Sequence, residues 1–326
     1  MLRYIAFFIL SLLILGCGVK HNFESVHIDS LKTYMVKDDY GNSIILRGKP
    51  KRIMTTHIYL DNILLGLVEP ERMISVSKNM DNESKTFAGA GVGKIKNKII
   101  MPDAETVLSL KPDLLVVHDL IGEDKIRVYR DLGIPVYVVR IPVSIKDVQN
   151  KIFGLSQLVG EQQRGINLVA KMNNLLLRIE CNIPQNVKFS KSSVLVATNH
   201  SLYGGRGCVY DDVCKHAKIR NGISEVGLAN GQTVSKEIML EFNPDYFFLT
   251  KSWSDCKAYD EKLINEFVND KSLKNLQAIK KRNVMLIDEK YIFIGHQNCV
   301  WSVQKLAHLV YGDCVVLEPE EFLKGF

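Results

Sequence analysis

A nine-residue pattern that occurs twice constrains the fold of this 326-residue chain more than any other feature. The pattern, E-x-x-L-x-x-x-P-D, occupies residues 105–113 and again residues 237–245, which are numbered 132 positions higher. A short apolar run follows each copy, at residues 114–117 and 246–249. Each copy begins two positions after a residue that favours a helix N-cap, and its Pro-Asp pair ends the helix before a buried strand. The duplication therefore predicts two lobes built from the same α/β unit.

The rest of the chain has the length and pattern expected for that arrangement. At about 100 to 200 residues per domain, 326 residues are enough for two domains. From Val36 onward, short apolar runs alternate with amphipathic segments, which predicts βα units in mostly parallel sheets. Residues 144–181 lack proline and carry apolar residues at three- and four-residue intervals, which predicts a helix that Gly160 and Gly165 kink or break. We therefore predict an α/β fold of two Rossmann-like α/β lobes, residues 36–144 and 184–326, joined by one long interdomain helix at residues 145–183.

The N-terminus predicts export and a lipid anchor. Arg3 is followed by an apolar stretch, residues 4–15, which is shorter than the roughly 20 residues that a membrane-spanning helix needs. This composition indicates a signal peptide at residues 1–16. Residues 14–17 (ILGC) are similar to the lipobox of bacterial lipoproteins, in which the cysteine, here Cys17, receives lipid; residues 17–35 would form the tether. The predicted location is the bacterial cell membrane, on its periplasmic or cell-surface side, and an ordinary signal peptide is the alternative.

Export also permits disulfide bonds among the remaining cysteines. Six cysteines allow fifteen pairings, and the sequence does not choose among them, although Cys208 and Cys214 would close the shortest loop. A zinc site that combines these two with His200 and His216 is the alternative, but their spacing matches no CxxC ligand pair. The six are Cys181, Cys208, Cys214, Cys256, Cys299 and Cys314.

Composition and motifs argue against several functional classes. The net charge of +6 is accompanied by no dense basic stripe, so nucleic-acid binding is not expected. The sequence contains no GxSxG elbow, phosphate-binding P-loop or HExxH metal motif. The glycine-rich residues 89–93 follow no strand that would make them a dinucleotide loop. We therefore predict a binding protein without catalytic residues, a metal-ion site of its own or a permanent cofactor, whose ligand lies in a cleft between the lobes.

Several segments resemble one known family. They are residues 49–54 (KPKRIM), residues 64–74 (LLGLVEPERMI), the two repeats, and residues 131–136 (DLGIPV). Together they look like the periplasmic binding proteins of the iron-siderophore, haem and vitamin B12 type, over residues 36–311. The resemblance implies a monomeric substrate-binding lipoprotein that delivers a metal chelate to the transmembrane subunits of an ABC permease. It also implies that Glu105 and Glu237, at the first turns of the repeated helices, dock onto arginines of that permease.

The loops after the predicted strands supply the expected ligand contacts. Arg206 and Lys251 would hold an anionic ferric chelate, and the aromatic groups would stack on a macrocycle, with histidine or tyrosine as an axial ligand in the case of haem. The family has a glutamate near position 61, where this chain has Asp61. The expected ligand contacts are His57, Tyr59, His200, Tyr203, Arg206, Tyr210, Lys251, Trp253, Tyr291 and His296.

A ferric siderophore is the preferred ligand on this reading, and haem or cobalamin is the alternative. An exported metal-dependent enzyme that uses His57, His200 and His296 is a remote alternative, since the sequence has no matching motif. A scaffold lipoprotein without a small ligand is the third.

Overall fold

The computed structural model describes residues 32–187, 191–196, 203–232, 235–251 and 257–326. Residues 1–16, Cys17, His200, Trp253 and Cys256 lie outside the described residues. Within the described ranges, no helix is both long and apolar enough to span a membrane.

The described chain alternates strands and helices over most of its length. The strands are β1 (Thr33–Lys37), β2 (Ser43–Arg47), β3 (Ile53–Thr55), β4 (Ser75–Val76), β5 (Asn97–Lys98), β6 (Leu114–His118), β7 (Val136–Val139), β8 (Ser192–Val196), β9 (Arg220–Asn221), β10 (Tyr246–Thr250) and β11 (Val284–Ile287). The α-helices are α1 (Ile58–Leu65), α2 (Ala104–Leu110), α3 (Glu123–Asp131), α4 (Ile145–Leu158), α5 (Gln162–Asn182), α6 (Val209–His216), α7 (Gly222–Glu225), α8 (Lys236–Phe242), α9 (Lys257–Val268), α10 (Gln277–Lys280) and α11 (Cys299–Tyr311).

Two parallel sheets confirm the expected pair of α/β lobes. In the N-terminal lobe, β3, β6 and β7 form a parallel sheet with β6 in the middle. In the C-terminal lobe, the parallel order is β11-β10-β8-β9. Strands β3, β6 and β7 are buried along their whole length, because helices cover both faces of a parallel sheet. The carboxyl ends of these strands are therefore the edges at which loops can form a site.

The sequence repeat corresponds to a structural repeat. Helices α2 and α8 have seven residues each, and each precedes a five-residue strand, β6 or β10, inside its sheet. The caps also match, because the side chains of Asp103 and Ser235 each accept a backbone N–H bond at the N-terminus. At the C-terminus, Lys111 and Asn243 have left-handed φ values of 48° and 49°. One local sequence pattern thus encodes the same helix, turn and strand in both lobes.

The segment expected to be one long helix is two helices, so the prediction of a single helix is wrong, and the break falls at Gly160, one of the two glycines expected to kink or break it. Helix α4 ends at Leu158 and α5 begins at Gln162, with Gly160 between them at a φ of 73°. The pairs Gln149–Asn173 and Ser156–Gly165 show that the two helices run antiparallel. A Cβ atom at Gly165 would lie 2.3 Å from Oγ of Ser156, so glycine is needed for this close approach.

The two lobes also make direct contact. The side-chain amide of Gln297 donates to the carbonyl of Asn62 at 2.6 Å, and both residues are buried. Lys85 and Glu289, also buried, form an ion pair with an N–O distance of 3.9 Å. One continuous hydrophobic core includes residues of both lobes. These contacts join the two lobes directly.

The C-terminal residues 315–326 extend this connection. The indole N–H of Trp301 donates to the carbonyl of Glu321 at 2.8 Å. Farther along, the backbone N–H of Gly325 donates to the carbonyl of Gly66 at 2.9 Å. The tail therefore runs from α11 in the C-terminal lobe to the end of α1 in the N-terminal lobe.

The described cysteines form no disulfide bond, although the export predicted from the sequence would permit one. Cys208 and Cys214, the pair that would close the shortest loop, are both free cysteines buried in the core. Burial raises the pKa of both thiols, so they stay protonated. The free cysteines are Cys181, Cys208, Cys214, Cys299 and Cys314.

Candidate functional site

Polar side chains without hydrogen-bond partners gather where β3 and β6 end. Thr56 directly follows β3, and His118 is the last residue of β6. The hydroxyls of Thr56 and Tyr59 and both ring nitrogens of His118 are buried and have no partner among the described residues. A buried polar group left unpaired costs about 1–3 kcal/mol, so four such atoms at one sheet edge indicate a place that a bound molecule completes.

His57 joins these residues into one group, which we call the histidine-tyrosine cluster: Thr56, His57, Tyr59 and His118. The ring centroid of His57 lies 5.1 Å from that of Tyr59 and 5.0 Å from that of His118. His57 is exposed, whereas Tyr59 and His118 are buried. Of these three rings, the one that solvent reaches is therefore that of His57.

The local sequence explains how His57 is held. It is the N-cap of α1, and its Nδ1 atom accepts the backbone N–H of Tyr59 at 3.2 Å. An Nδ1 atom that accepts a hydrogen bond carries no proton, so the neutral ring bears its proton on Nε2. The free edge of His57 is thus a hydrogen-bond donor.

The surroundings of the histidines in this region lower their pKa values. It lowers the pKa of His118 below its usual range and that of His296 to about 3. The pKa of His57 is also lowered, chiefly because the surrounding protein displaces water from around its ring, and further by the nearby His118 and His296. Because the ring of His57 keeps contact with solvent, water moderates that decrease. At neutral pH all three imidazoles are therefore uncharged.

The C-terminal lobe reaches this cluster through residues 292–298. Gly295 packs against Tyr59, since a Cβ atom there would lie 3.5 Å from its ring. The next residue, His296, is buried, and its Nδ1 atom accepts the backbone N–H of Asn298 at 3.3 Å. The cluster therefore lies where the two lobes meet.

Aromatic rings continue the same region in the C-terminal lobe. Phe293 lies 5.2 Å from Tyr203, and Tyr203 lies 6.5 Å from Tyr210, measured between ring centroids. Tyr203 and Phe293 are half-buried, whereas Tyr210 is fully buried in the core. Of the residues expected to contact ligand, the structure brings His57, Tyr59, Tyr203 and His296 to this meeting of the lobes.

The other described residues of that prediction are engaged elsewhere. The hydroxyl of Tyr291 donates to Glu320 at 2.6 Å, which ties it to the C-terminal tail. The ammonium group of Lys251 is 2.6 Å from a carboxylate oxygen of Asp288. The Nε atom of Arg206 donates to the carbonyl of Ser224 at 2.8 Å. Of the two cations expected to hold an anionic chelate, Lys251 is thus in an ion pair, and the exposed Arg206 bonds a backbone carbonyl through its Nε atom.

Sequence reasoning missed His118 and Thr56. The signal for His118 was present, because it ends the strand that follows the first repeat and therefore lies at a carboxyl edge of the sheet. The equivalent residue in the second lobe is Thr250, which ends β10. Only the parallel pairing of β3 with β6 places His118 beside His57.

The described residues hold no group of three or more His, Cys, Asp or Glu side chains arranged to bind a metal ion. A metal bound at the histidine-tyrosine cluster would therefore have to arrive with most of its own ligands.

Comparison with known proteins gives these features a context. The sequence profile of a family described as periplasmic binding protein matches residues 63–291. The chain belongs to the periplasmic binding protein family. It is 21% identical over 283 residues to the uncharacterized ABC transporter substrate-binding lipoprotein YvrC of Bacillus subtilis, covering 85% of each chain. It is 24% identical over 185 residues to the iron-uptake system-binding protein of the same species, covering 56% of this chain and 57% of the relative.

A solved structure supports the same fold. The periplasmic haem-binding protein RhuT from Roseiflexus sp. RS-1 superposes with a TM-score of 0.67 at 19% identity, covering 81% of this chain and 98% of that one. These relatives are binding proteins rather than enzymes, which confirms the expectation drawn from the missing catalytic motifs.

Proposed function

We propose that this protein is the substrate-binding lipoprotein of an ABC importer and captures an iron chelate, preferably a ferric siderophore, between its lobes. The observation that carries the proposal is the histidine-tyrosine cluster, whose unpaired hydrogen-bonding groups lie where the lobes meet. Family membership supports the importer role, and the iron-uptake relative supports the metal.

A chelate fits this cluster better than a bare metal ion. The described residues offer no three-ligand set for an ion, but they offer neutral hydrogen-bonding groups and the ring pair Tyr203–Phe293. Such groups bind the organic part of a chelate. Haem or cobalamin is the second candidate, favoured by that ring pair and by the unpaired hydroxyl of Tyr59, which suits an axial ligand of haem iron.

The permease would dock onto the paired glutamates. Glu105 and Glu237 are exposed in the first turns of α2 and α8. One turn later, Leu108 and Leu240 are also exposed, at 51% and 41%, in equivalent positions of the repeat. A carboxylate beside an apolar group on each lobe would give the permease two contacts of fixed separation. The N–H and O–H groups around Glu237 lower its pKa, so it stays charged.

We further propose the organisation of the mature protein. Residues 1–16 would be removed and Cys17 would carry lipid. The tether expected at residues 17–35 would end before Thr33, because residues 33–35 pair with β2 in strand β1, and it would hold the lobes, residues 36–144 and 184–326, at the membrane as a monomer. The contacts between Gln297 and Asn62 favour a limited closure on binding.

The experiment that tests the function uses the processed protein, purified in detergent from a bacterial host that expresses the full gene. Native mass spectrometry would follow its incubation with ferric siderophores, haem and cobalamin. We expect one chelate to bind with one-to-one stoichiometry and His57→Asn, which keeps a good N-cap, to weaken it. The matched control is His216→Gln, since His216 pairs with Glu180 on α5. Absence of binding to every chelate would contradict the proposal.

A further inference from the structure

We infer that the exposed side of the β1-β2 hairpin is a membrane-contact surface, which lies on the anionic headgroups of the bilayer that holds the lipid anchor. The inference rests on the anchor at Cys17 that is part of the proposed function, and it adds a second point of attachment. We call this surface the hairpin face. It is formed by Thr33, Met35, Lys37, Ser43, Ile45 and Arg47.

The hairpin face follows from the alternation of side chains along two short strands. Every second residue of β1 and β2 is exposed, and the residues between them turn toward the protein. On that inner side, Ile44 and Leu46 belong to the hydrophobic core. Among the described strands, β1 and β2 pair only with each other. The hairpin is therefore a two-stranded ribbon with one side packed on the protein and one side open to solvent.

Two apolar side chains lie at the centre of this face. Met35 is 60% exposed and Ile45 is 61% exposed, and the two residues are direct cross-strand partners. Partners in an antiparallel pair have Cβ atoms about 4.5–5.5 Å apart, so Met35 and Ile45 form one apolar patch. Removing this patch from water is favourable, and it therefore strengthens any contact that covers the hairpin face.

Cations lie at both ends of the apolar pair. Lys37 is two positions after Met35 in β1, and Arg47 is two positions after Ile45 in β2. Both cations are exposed, and neither forms an ion pair with a carboxylate of the described residues. The hairpin face contains no aspartate or glutamate. An apolar centre between two cations complements a surface of anionic headgroups above a hydrocarbon layer.

The chain around the hairpin carries charge of the same sign. Residues 32–52 contain six lysine or arginine residues and two aspartates. Of the six cations, Lys49 forms an ion pair, with Glu161. The excess of cations makes the potential over this surface positive, which attracts an anionic bilayer. The six are Lys32, Lys37, Arg47, Lys49, Lys51 and Arg52.

The acidic groups near the hairpin lie at its turn and do not neutralise the hairpin face. Asp38 is buried, and Asp39 forms an ion pair with a lysine of α4 at 2.8 Å. Asp119 accepts the hydroxyl of Tyr40 at 2.8 Å, and the guanidinium of Arg140 lies 4.8 Å from the ring centroid of the same tyrosine. Each exposed carboxylate at the turn therefore has a cation close to it.

The predicted anchor brings this surface to the membrane. Residues 17–31 separate the lipid on Cys17 from Lys32, which directly precedes β1. Even fully extended, a segment of this length spans at most about 50 Å, so the hairpin is the first element that the anchor holds near the bilayer. A surface tethered at this distance meets the bilayer at a high effective concentration. A patch too weak to hold the protein without its lipid can therefore be occupied when the lipid is present.

The test measures oxidation of methionine side chains in the processed protein, which its own lipid anchors in vesicles. One set of vesicles contains phosphatidylcholine alone, and the other also contains roughly 30% phosphatidylglycerol. Hydrogen peroxide is polar and converts exposed methionine to the sulfoxide, which peptide mass spectrometry quantifies. Met101, which is 46% exposed in the same lobe, is the internal reference for Met35.

We expect Met35 to be oxidised at least about fivefold more slowly in the anionic vesicles than in the neutral ones, while the rate at Met101 changes less than about twofold. Equal rates at Met35 in both sets would overturn the inference, and equally low rates would show that the tether or a second copy of the chain covers the face. Protection of Met101 in place of Met35 would also overturn it. Protein that sediments with neither set would disprove the lipid anchor and the inference with it, whereas chelate binding by the same sample tests the proposed function separately.

A charge variant tests the electrostatic part of the contact. Lys37→Gln combined with Arg47→Gln removes two cations and keeps the apolar pair, so we expect the oxidation rate of Met35 in anionic vesicles to return to within about twofold of its value in neutral vesicles. The matched control combines Arg127→Gln with Lys262→Gln, two exposed cations that pair with carboxylates on their own helices. Full protection of Met35 in the charge variant, or an equal loss of protection in the control, would contradict the inference.

Discussion

The imidazole ring of His118 lies edge-on to that of His57, with ring centroids 5.0 Å apart and ring planes inclined by 73°. His118 ends β6 and His57 follows the neighbouring parallel strand β3, and neither ring nitrogen of His118 has a hydrogen-bond partner among the described residues. Native proteins pair most buried polar groups, so an unpaired ring at a sheet edge between two lobes is a sign of a binding role.

Replacing His118 by leucine should separate stability from binding. The change removes two buried unpaired nitrogens, so we expect the free energy of unfolding to stay constant or to rise by about 1–2 kcal/mol. Chelate affinity should fall at least about tenfold, since a bonding group is lost. Denaturant unfolding and calorimetric titration measure the two effects. His308→Leu is the matched control, because its Nδ1 atom is also buried and unpaired but lies on α11. A loss of stability at His118 without a loss of affinity would assign it a structural role.

Asp61 should make the stability depend on pH. Burial raises its pKa to about 7, although Thr55 and the backbone N–H of Ser77 donate to its carboxylate. A carboxylic acid whose pKa is higher in the folded protein than in the unfolded chain contributes its full stabilisation below the pKa of the unfolded chain. This contribution is lost as the pH rises through the pKa of the folded protein. We therefore expect Asp61→Asn to have the same free energy of unfolding as the wild type near pH 4, and a value about 2–4 kcal/mol higher above pH 7.

Denaturant unfolding at a series of pH values measures this difference. The amide of asparagine can donate to Thr55 and accept from Ser77, so the hydrogen bonds of Asp61 can be kept. Parallel curves for the wild type and Asp61→Asn would show that the pKa of Asp61 is the same in the folded and unfolded states, contrary to the expectation.

Charge reversal at the repeated glutamates should affect transport alone. We expect Glu105→Lys and Glu237→Lys each to reduce chelate uptake by cells, and the double variant to abolish it, because each lobe would lose one contact with the permease. Chelate affinity in solution should remain unchanged, since both glutamates are exposed at the starts of α2 and α8. Glu241→Lys is the matched control, an exposed carboxylate on α8 that has no equivalent in the first repeat. Equal losses at Glu241 and Glu237 would argue for a general charge effect.

Cys17→Ala should release the protein from the membrane. If Cys17 carries lipid, metabolic labelling with a radioactive fatty acid will mark the wild type and not this variant, and fractionation will move the variant to the soluble exported fraction. Cys181→Ala, at an exposed free cysteine of α5, should keep both label and membrane association. Label that persists in Cys17→Ala would contradict the anchor.

Ligand binding should change the overall shape little. The lobes share one hydrophobic core and the buried hydrogen bond from Gln297 to Asn62, and a hinge would have to break both. Solution scattering with and without chelate should therefore give nearly the same radius of gyration. A large decrease on binding would show that these contacts open in the free protein.

The sequence by itself determined the repeated unit of this fold. The N-caps Asp103 and Ser235 and the left-handed residues Lys111 and Asn243 depend on side chains within a few positions of one another, so the pattern specifies helix, turn and strand locally. The same reasoning placed His57 and Tyr59 just after a strand, at the edge where the cluster is found.

Only the tertiary structure decided which groups meet. The glycines Gly160 and Gly165 indicated a kink or a break, but the antiparallel packing of α4 on α5, with Gly165 against Ser156, is a contact that apolar periodicity does not encode. The pairing of Lys251 with Asp288 and the approach of His118 to His57 likewise join residues at the ends of different strands. Burial, charge pairing and unpaired polar atoms arise between segments distant in the chain, so the chemistry of the site follows from the folded structure and not from local pattern.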